Sequence, residues 1–215
     1  MKRLVIVVLI IIAAVAGFWI FRQRVSRNGL RSTVVDLCGG DAPCVAAVAT
    51  HFDPCFEQAT SQYGRLALTT PRLAQCVDRK VAEATMADMR TIASSWEAYA
   101  TDYNSYLPNG RSYDQSVPGL GDPISLDRAE MMDRDTLASF LTPTYARAIP
   151  QRDGWGHDLE FAVSRGGDEY LLRSTGRDGK ADADSYSRGK TLHADCDIVY
   201  SQGTFVVAPD GASQK

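Results

Sequence analysis

The chain has 215 residues, 45% of them hydrophobic and 23% charged, with a formal net charge of -3. That length is too great for a disulfide knot and near the upper limit for one domain, and the composition excludes wholesale disorder. With no basic surplus, a nucleic-acid partner is not expected.

Leu4 to Phe21 carry no charged or polar side chain across 18 positions. As a helix this run would span roughly 27 Å, enough for a bilayer core. Lys2 and Arg3 precede it, Trp19 and Phe21 stand where interfacial aromatics belong, and Arg22, Arg24, Arg27 and Arg31 follow. Residues 1–27 are expected to be a single-span membrane anchor. A cleaved signal peptide is the rival, with Ala14-Val15-Ala16 as its small-x-small site. Both readings export the remainder.

Five cysteines follow: Cys38, Cys44, Cys55, Cys76 and Cys196. Behind an export segment, the four clustered ones argue for two disulfides with three possible connectivities. The preferred pairing is Cys38 with Cys44 and Cys55 with Cys76. Zinc, with His51 nearby, is the alternative, although no CxxC pair is present. Cys196 reads as a small buried hydrophobe. Capping chemistry places three helix starts at Asp41-Ala42-Pro43, Asp53-Pro54 and Thr70-Pro71. The first helix runs to about Thr50 and the second to about Gly64. A hairpin of the second and third would let Cys55 face Cys76. Residues 28–80 therefore read as a cysteine-containing helical segment.

The third helix extends to about Tyr103. Val81, Met86, Met89, Ile92, Trp96, Tyr99 and Tyr103 form a stripe that calls for burial as a core face. Residues 105–126 read as a loop and Thr136 to Leu141 as a short helix. Beyond Pro150 the pattern becomes β. Leu159, Phe161 and Val163 alternate with polar or small residues, Arg165-Gly166-Gly167-Asp168 is a turn, and Tyr170 to Arg173 is the partner strand. Ile198-Val199-Tyr200, Ser201-Gln202-Gly203 and Thr204 to Val207 form a second hairpin. The expected fold is α+β, with a long helix covering one face of a small antiparallel sheet.

Between the hairpins lies a concentration of oxygen ligands: Asp178, Asp182, Asp184, Asp195 and Asp197, five carboxylates within 20 positions. Calcium takes hard oxygens from carboxylates and turn carbonyls, so a cation site and a solvated acidic turn are both open readings. The spacing is not that of an EF-hand, since counting from Asp182 puts Tyr186 fifth and His193 twelfth. The three histidines, His51, His157 and His193, sit in no recognisable nucleophile or metalloprotease motif. No catalytic residue, organic cofactor or small-molecule substrate is expected.

The stretch from Leu141 to Pro150, followed by Asp153-Gly154-Trp155-Gly156, is similar to the globular domain of the type II secretion major pseudopilin family. There a Pro and then Asp-Pro-Trp-Gly lead into the first strand. Tyr170 to Gly179 resembles that family's strand running into Ser-x-Gly-x-Asp-Gly, and Asp195-Cys196-Asp197-Ile198 resembles its Asp-Ala-Asp-Ile. Ala84 to Pro108 resembles its long helix. The likeness covers roughly residues 80–208.

The resemblance implies a pilin-like fold over residues 81–215 and a structural Ca²⁺ ion. Asp178, Asp195 and Asp197 would be its ligands, with Asp182 and Asp184 as further candidates in a longer loop. It implies a non-enzymatic role in a secretion or pilus-type assembly, anchored in the inner membrane with the domain in the periplasm. The alternative is an exported monomeric binding module that reuses the domain. Two features depart from the family. Gly17-Phe18 falls after most of the apolar run, with Arg22 where the family has Glu. The segment 28–80 also separates the apolar run from the domain helix.

Overall fold

The computed structural model describes Val15 and residues 26–63, 68–108, 116–191 and 193–209. Apart from Val15, the apolar run at 4–21 lies outside these residues, and with it Gly17, Phe18, Trp19 and Phe21. Arg22 and Arg24 lie outside them too. Among the described residues no helix is long and apolar enough to cross a membrane. The chain divides into two compact units, Met1–Val77 and Asp78–Lys215.

The first unit is helical. Helix α1 covers residues 26–36, α2 runs Ala42–Tyr63, and the start of α3 (Thr70–Tyr103) completes the unit. Asp41 opens α2, its side chain accepting a hydrogen bond from the Cys44 amide at 2.9 Å. Two helices were expected here, the second starting at Asp53-Pro54; instead α2 is continuous, with Pro54 inside it. The apolar spacing explains why. Val48, Phe52, Cys55 and Ala59 are all buried, at intervals of three and four, so one uninterrupted face outweighs the hydrogen bond Pro54 cannot donate. Arg27 and Arg31 lie over the Phe56 and Phe52 rings, and Arg27 pairs with Asp53 at 2.7 Å.

Both disulfides have the expected pairing. Cys38–Cys44 closes the α1–α2 turn with a Cα–Cα distance of 5.6 Å, and Cys55–Cys76 joins α2 to α3 at 5.8 Å. The thiols that a zinc site would need are therefore bonded to one another.

The second unit is α+β. Among the described residues eight strands follow α3: β1 Ile124–Ser125, β2 Ala129–Met132, β3 Glu160–Ser164, β4 Tyr170–Ser174, β5 Ser185–Tyr186, β6 Gly189–Thr191, β7 Ile198–Ser201 and β8 Thr204–Pro209. Helix α4 (Arg134–Leu141) separates β2 from β3 and is capped by the Asp133 side chain, which accepts from the Thr136 amide. Six strands form one sheet in the order β2-β3-β4-β7-β8-β6, antiparallel except for β6 against β8. β1 and β5 make a separate two-stranded ribbon. The β7–β8 turn is Gln202-Gly203, with φ of 49° and 77°, the positive values that a tight two-residue hairpin requires.

Val81, Met86, Met89, Ile92, Trp96 and Tyr99 are buried as the helical stripe requires. Trp96 meets Tyr170 of β4 at 5.3 Å between ring centroids, and Arg90 lies over Phe205 of β8. Tyr103, expected in the stripe, is 51% exposed because it is the last residue of α3, stacked on Tyr99.

One buried sheet face was expected, but both are covered. Leu120 and Tyr186 pack with Ala162, Leu171, Val199 and Val206, with Ile124 and Leu126 against this cluster. The supposed loop before residue 126 and the acidic loop thus supply the second cover. β4 is accordingly buried at every position, Arg173 included.

Candidate functional site: the acidic loop

The loop begins where β4 ends, at a point of close backbone approach. Gly176 has φ of 66°, and a Cβ there would lie 2.6 Å from the Cys196 carbonyl and 2.8 Å from that of Ala194. Only glycine fits. The Arg177 amide then donates to the Ala194 carbonyl at 2.8 Å, joining the two ends of the loop. His157 supports the same segment. Its Nε2 lies 3.0 Å from the Arg177 carbonyl, and Gly179 sits against its ring.

His157 is held in turn by the Asp153-Gly154-Trp155-Gly156 turn. Buried Asp153 accepts from the amides of Trp155 and His157 and from the Ser174 hydroxyl at 2.6 Å. Burial raises its carboxyl pKa, and the Ser174 bond works against that rise. Gly154 lies so close to α3 that a Cβ would meet Val81 Cγ1 at 2.7 Å, and its amide donates to Thr85 Oγ1 at 2.9 Å. Trp155 is buried, as a core aromatic locking this turn should be.

The five aspartates divide into three arrangements. Asp182 and Asp197 are cross-linked: each carboxylate accepts from the other's backbone amide at 2.9 Å. Asp197 is only 1% exposed. Its Oδ2 also takes a hydrogen bond from the Tyr186 hydroxyl, whereas its Oδ1 is buried with no hydrogen-bond partner. Burial raises the Asp197 carboxyl, with the Tyr186 bond opposing, and burial likewise raises the Tyr186 phenol.

Asp195 is claimed by Arg177, whose Nε and Nη2 donate to its two oxygens at 2.7 and 3.1 Å. The remaining Nη1 of Arg177 donates to Asp78 of α3 at 2.8 Å. Burial raises the Asp78 carboxyl, and Arg177 draws it down. Asp178 and Asp184 are exposed, and Asp178 lies near enough to Arg177 for its charge to favour the guanidinium cation. Asp178 accepts from the Lys180 amide at 3.0 Å, and the Asp184 backbone carbonyl accepts from the Leu126 amide. Cys196 is free and half-buried, not the buried hydrophobe expected.

Beneath the loop lies an ion pair that the sequence reading missed. Arg173 on β4 pairs with Glu160, its register partner on β3, with Nε to Oε2 at 2.7 Å. Its Nη1 donates to the Ala183 carbonyl at 2.9 Å and to the Tyr186 hydroxyl at 2.8 Å. A continuous polar network therefore runs Glu160–Arg173–Tyr186–Asp197–Asp182. Its signal was a single arginine directly after the apolar run Tyr170-Leu171-Leu172, within the same strand.

Calcium takes about six to eight oxygens. Four of the five expected ligands already accept hydrogen bonds from the chain's own donors. Among the described residues no three His, Cys, Asp or Glu side chains stand together closely enough to hold a metal ion. The carboxylates as arranged do not fit a calcium cage. What the arrangement does is fix loop geometry, by pairing each inward carboxylate with an amide, a phenol or a guanidinium.

No family model, curated protein or solved structure matches the chain.

Proposed function

We propose that the chain is a non-enzymatic, membrane-anchored, pseudopilin-like component of a type II secretion or related pilus-type assembly, with the second unit as its periplasmic domain. The observation that carries this reading is how the resembling segments are used. Asp153-Gly154-Trp155-Gly156 docks on the long helix α3. The stretch from Ser174 to Gly179 closes on Ala194-Asp195-Cys196. These contacts support the reading, because each resembling motif makes a structural contact within the α+β unit. The disulfides fit an oxidising compartment, which suits a periplasmic domain.

A second reading, an exported monomeric binding module, draws on the first unit. Its helices break at 37–41 and again before Thr70, and disulfides staple them. A separate stapled body is a feature that a continuous pilin helix does not need. Cross-linking the full-length protein in intact cells, followed by purification from the membrane fraction, decides between the two. Recovery of inner-membrane secretion components supports the assembly role. A reproducibly monomeric, uncross-linked chain refutes it and leaves the binding module.

A further inference from the structure

We propose that Arg177 is the resident cation of the acidic loop, so that the loop closes without the divalent ion that the family resemblance implies. This goes beyond the assembly role and holds whether or not that role is correct.

Arg177 is anchored at both ends of its residue. Its amide donates to the Ala194 carbonyl at 2.8 Å and its carbonyl lies 3.0 Å from His157 Nε2. Gly176 allows this approach, since a Cβ there would collide with the 194–196 backbone. The backbone from which the guanidinium extends is therefore fixed on both sides. The guanidinium forks onto both oxygens of Asp195 at 2.7 and 3.1 Å and reaches Asp78 on α3 at 2.8 Å. One planar cation thus ties the far end of the loop to the domain helix and bridges two carboxylates, offsetting one of their two negative charges and holding them in the way a bound ion would.

Two further loop carboxylates also draw on the chain's own donors. Asp182 and Asp197 hold each other's amides, and Tyr186, itself hydrogen-bonded by Arg173, holds Asp197. Among the described residues Asp197 Oδ1 is the buried loop carboxylate oxygen without a hydrogen-bond partner, and no three His, Cys, Asp or Glu side chains stand close enough to hold an ion.

The test is amide hydrogen exchange across 176–184 and 194–197 in the full-length protein in detergent. It is run in EDTA and in saturating Ca²⁺, for the unaltered chain and for Arg177→Gln. The unaltered chain should exchange at the same rate in both conditions. Arg177→Gln should exchange about tenfold faster in EDTA, because charge-assisted bonds to two carboxylates are lost. Ca²⁺ should slow it again, since Asp78 and Asp195 are left without a countercharge. That restoration is a response a merely space-filling side chain would not produce. The proposal is overturned if Ca²⁺ slows exchange tenfold in the unaltered chain, an arm that does not depend on the variant folding. It is also overturned if Arg177→Gln exchanges like the unaltered chain in EDTA, or if its loss is not reversed by Ca²⁺.

Discussion

Arg173→Met tests whether the network beneath the acidic loop holds the second unit together. The change keeps the aliphatic stem and removes the guanidinium from a side chain only 7% exposed. Breaking one partner of a buried ion pair costs about 3–5 kcal/mol. Glu160 is 32% exposed, so solvent screens what it loses and reduces that share to about 2 kcal/mol. The Ala183 carbonyl and Tyr186 hydroxyl also lose a donor, adding about 1 kcal/mol. A loss of about 3 kcal/mol should lower the melting midpoint of a unit this size by about 10 °C. Thermal unfolding followed by near-ultraviolet circular dichroism reads it, because Tyr186 and Trp155 report this unit. Adding Glu160→Gln should cost less than the sum of the two single changes, since the stranded carboxylate is then gone. A midpoint within about 2 °C of the unaltered chain would refute the reasoning, showing that the network orders the loop without stabilising the domain.

Removing Cys55–Cys76 by paired serine substitution should destabilise the first unit by about 3 kcal/mol, and removing Cys38–Cys44 by about 2 kcal/mol, because the bridges span 21 and 6 residues. Denaturant unfolding followed by far-ultraviolet circular dichroism would show this, and an equal or reversed order would contradict it. The pH dependence has a definite sign. Asp78, Asp153 and Asp197 all have carboxyl pKa values raised above the ordinary 3.8, so the folded state holds protons that the unfolded state releases. Stability should therefore fall as pH rises from that ordinary value through the raised ones, then level off. A melting midpoint that climbs steadily over that range would contradict the assignment.

Much of the second unit is legible in the sequence because its signals are local. The stripe from Val81 to Tyr99 has helical spacing, Asp133 caps α4, and glycines mark both hairpin turns. The strands that escape notice are those without apolar alternation: β1, β2, β5 and β6 read Ile-Ser, Ala-Glu-Met-Met, Ser-Tyr and Gly-Lys-Thr. They exist because neighbouring strands and the second sheet face need covering. Pro54 misleads in the opposite direction, since a proline that signals a helix start lies inside a helix whose buried face continues past it.

The acidic loop was legible as a concentration of carboxylates but not as a set of pairs. Arg177 meets Asp78 across 99 positions, and Tyr186 meets Asp197 across 11. Counting acids along a segment cannot supply partners of that kind. The Arg173–Glu160 pair was closer to view, because the hairpin turn fixes the register that sets them opposite one another.

β8 lies between β7 and β6, both of which precede it in the chain. Until Thr204–Pro209 is made and inserted, β6 has no strand to pair with and β7 presents a bare edge. A chain emerging from its N-terminal end cannot complete this sheet early. The unit is thus committed to folding after synthesis of nearly its whole length, with the unpaired edge of β7 exposed in the meantime to whatever strand or chaperone reaches it first.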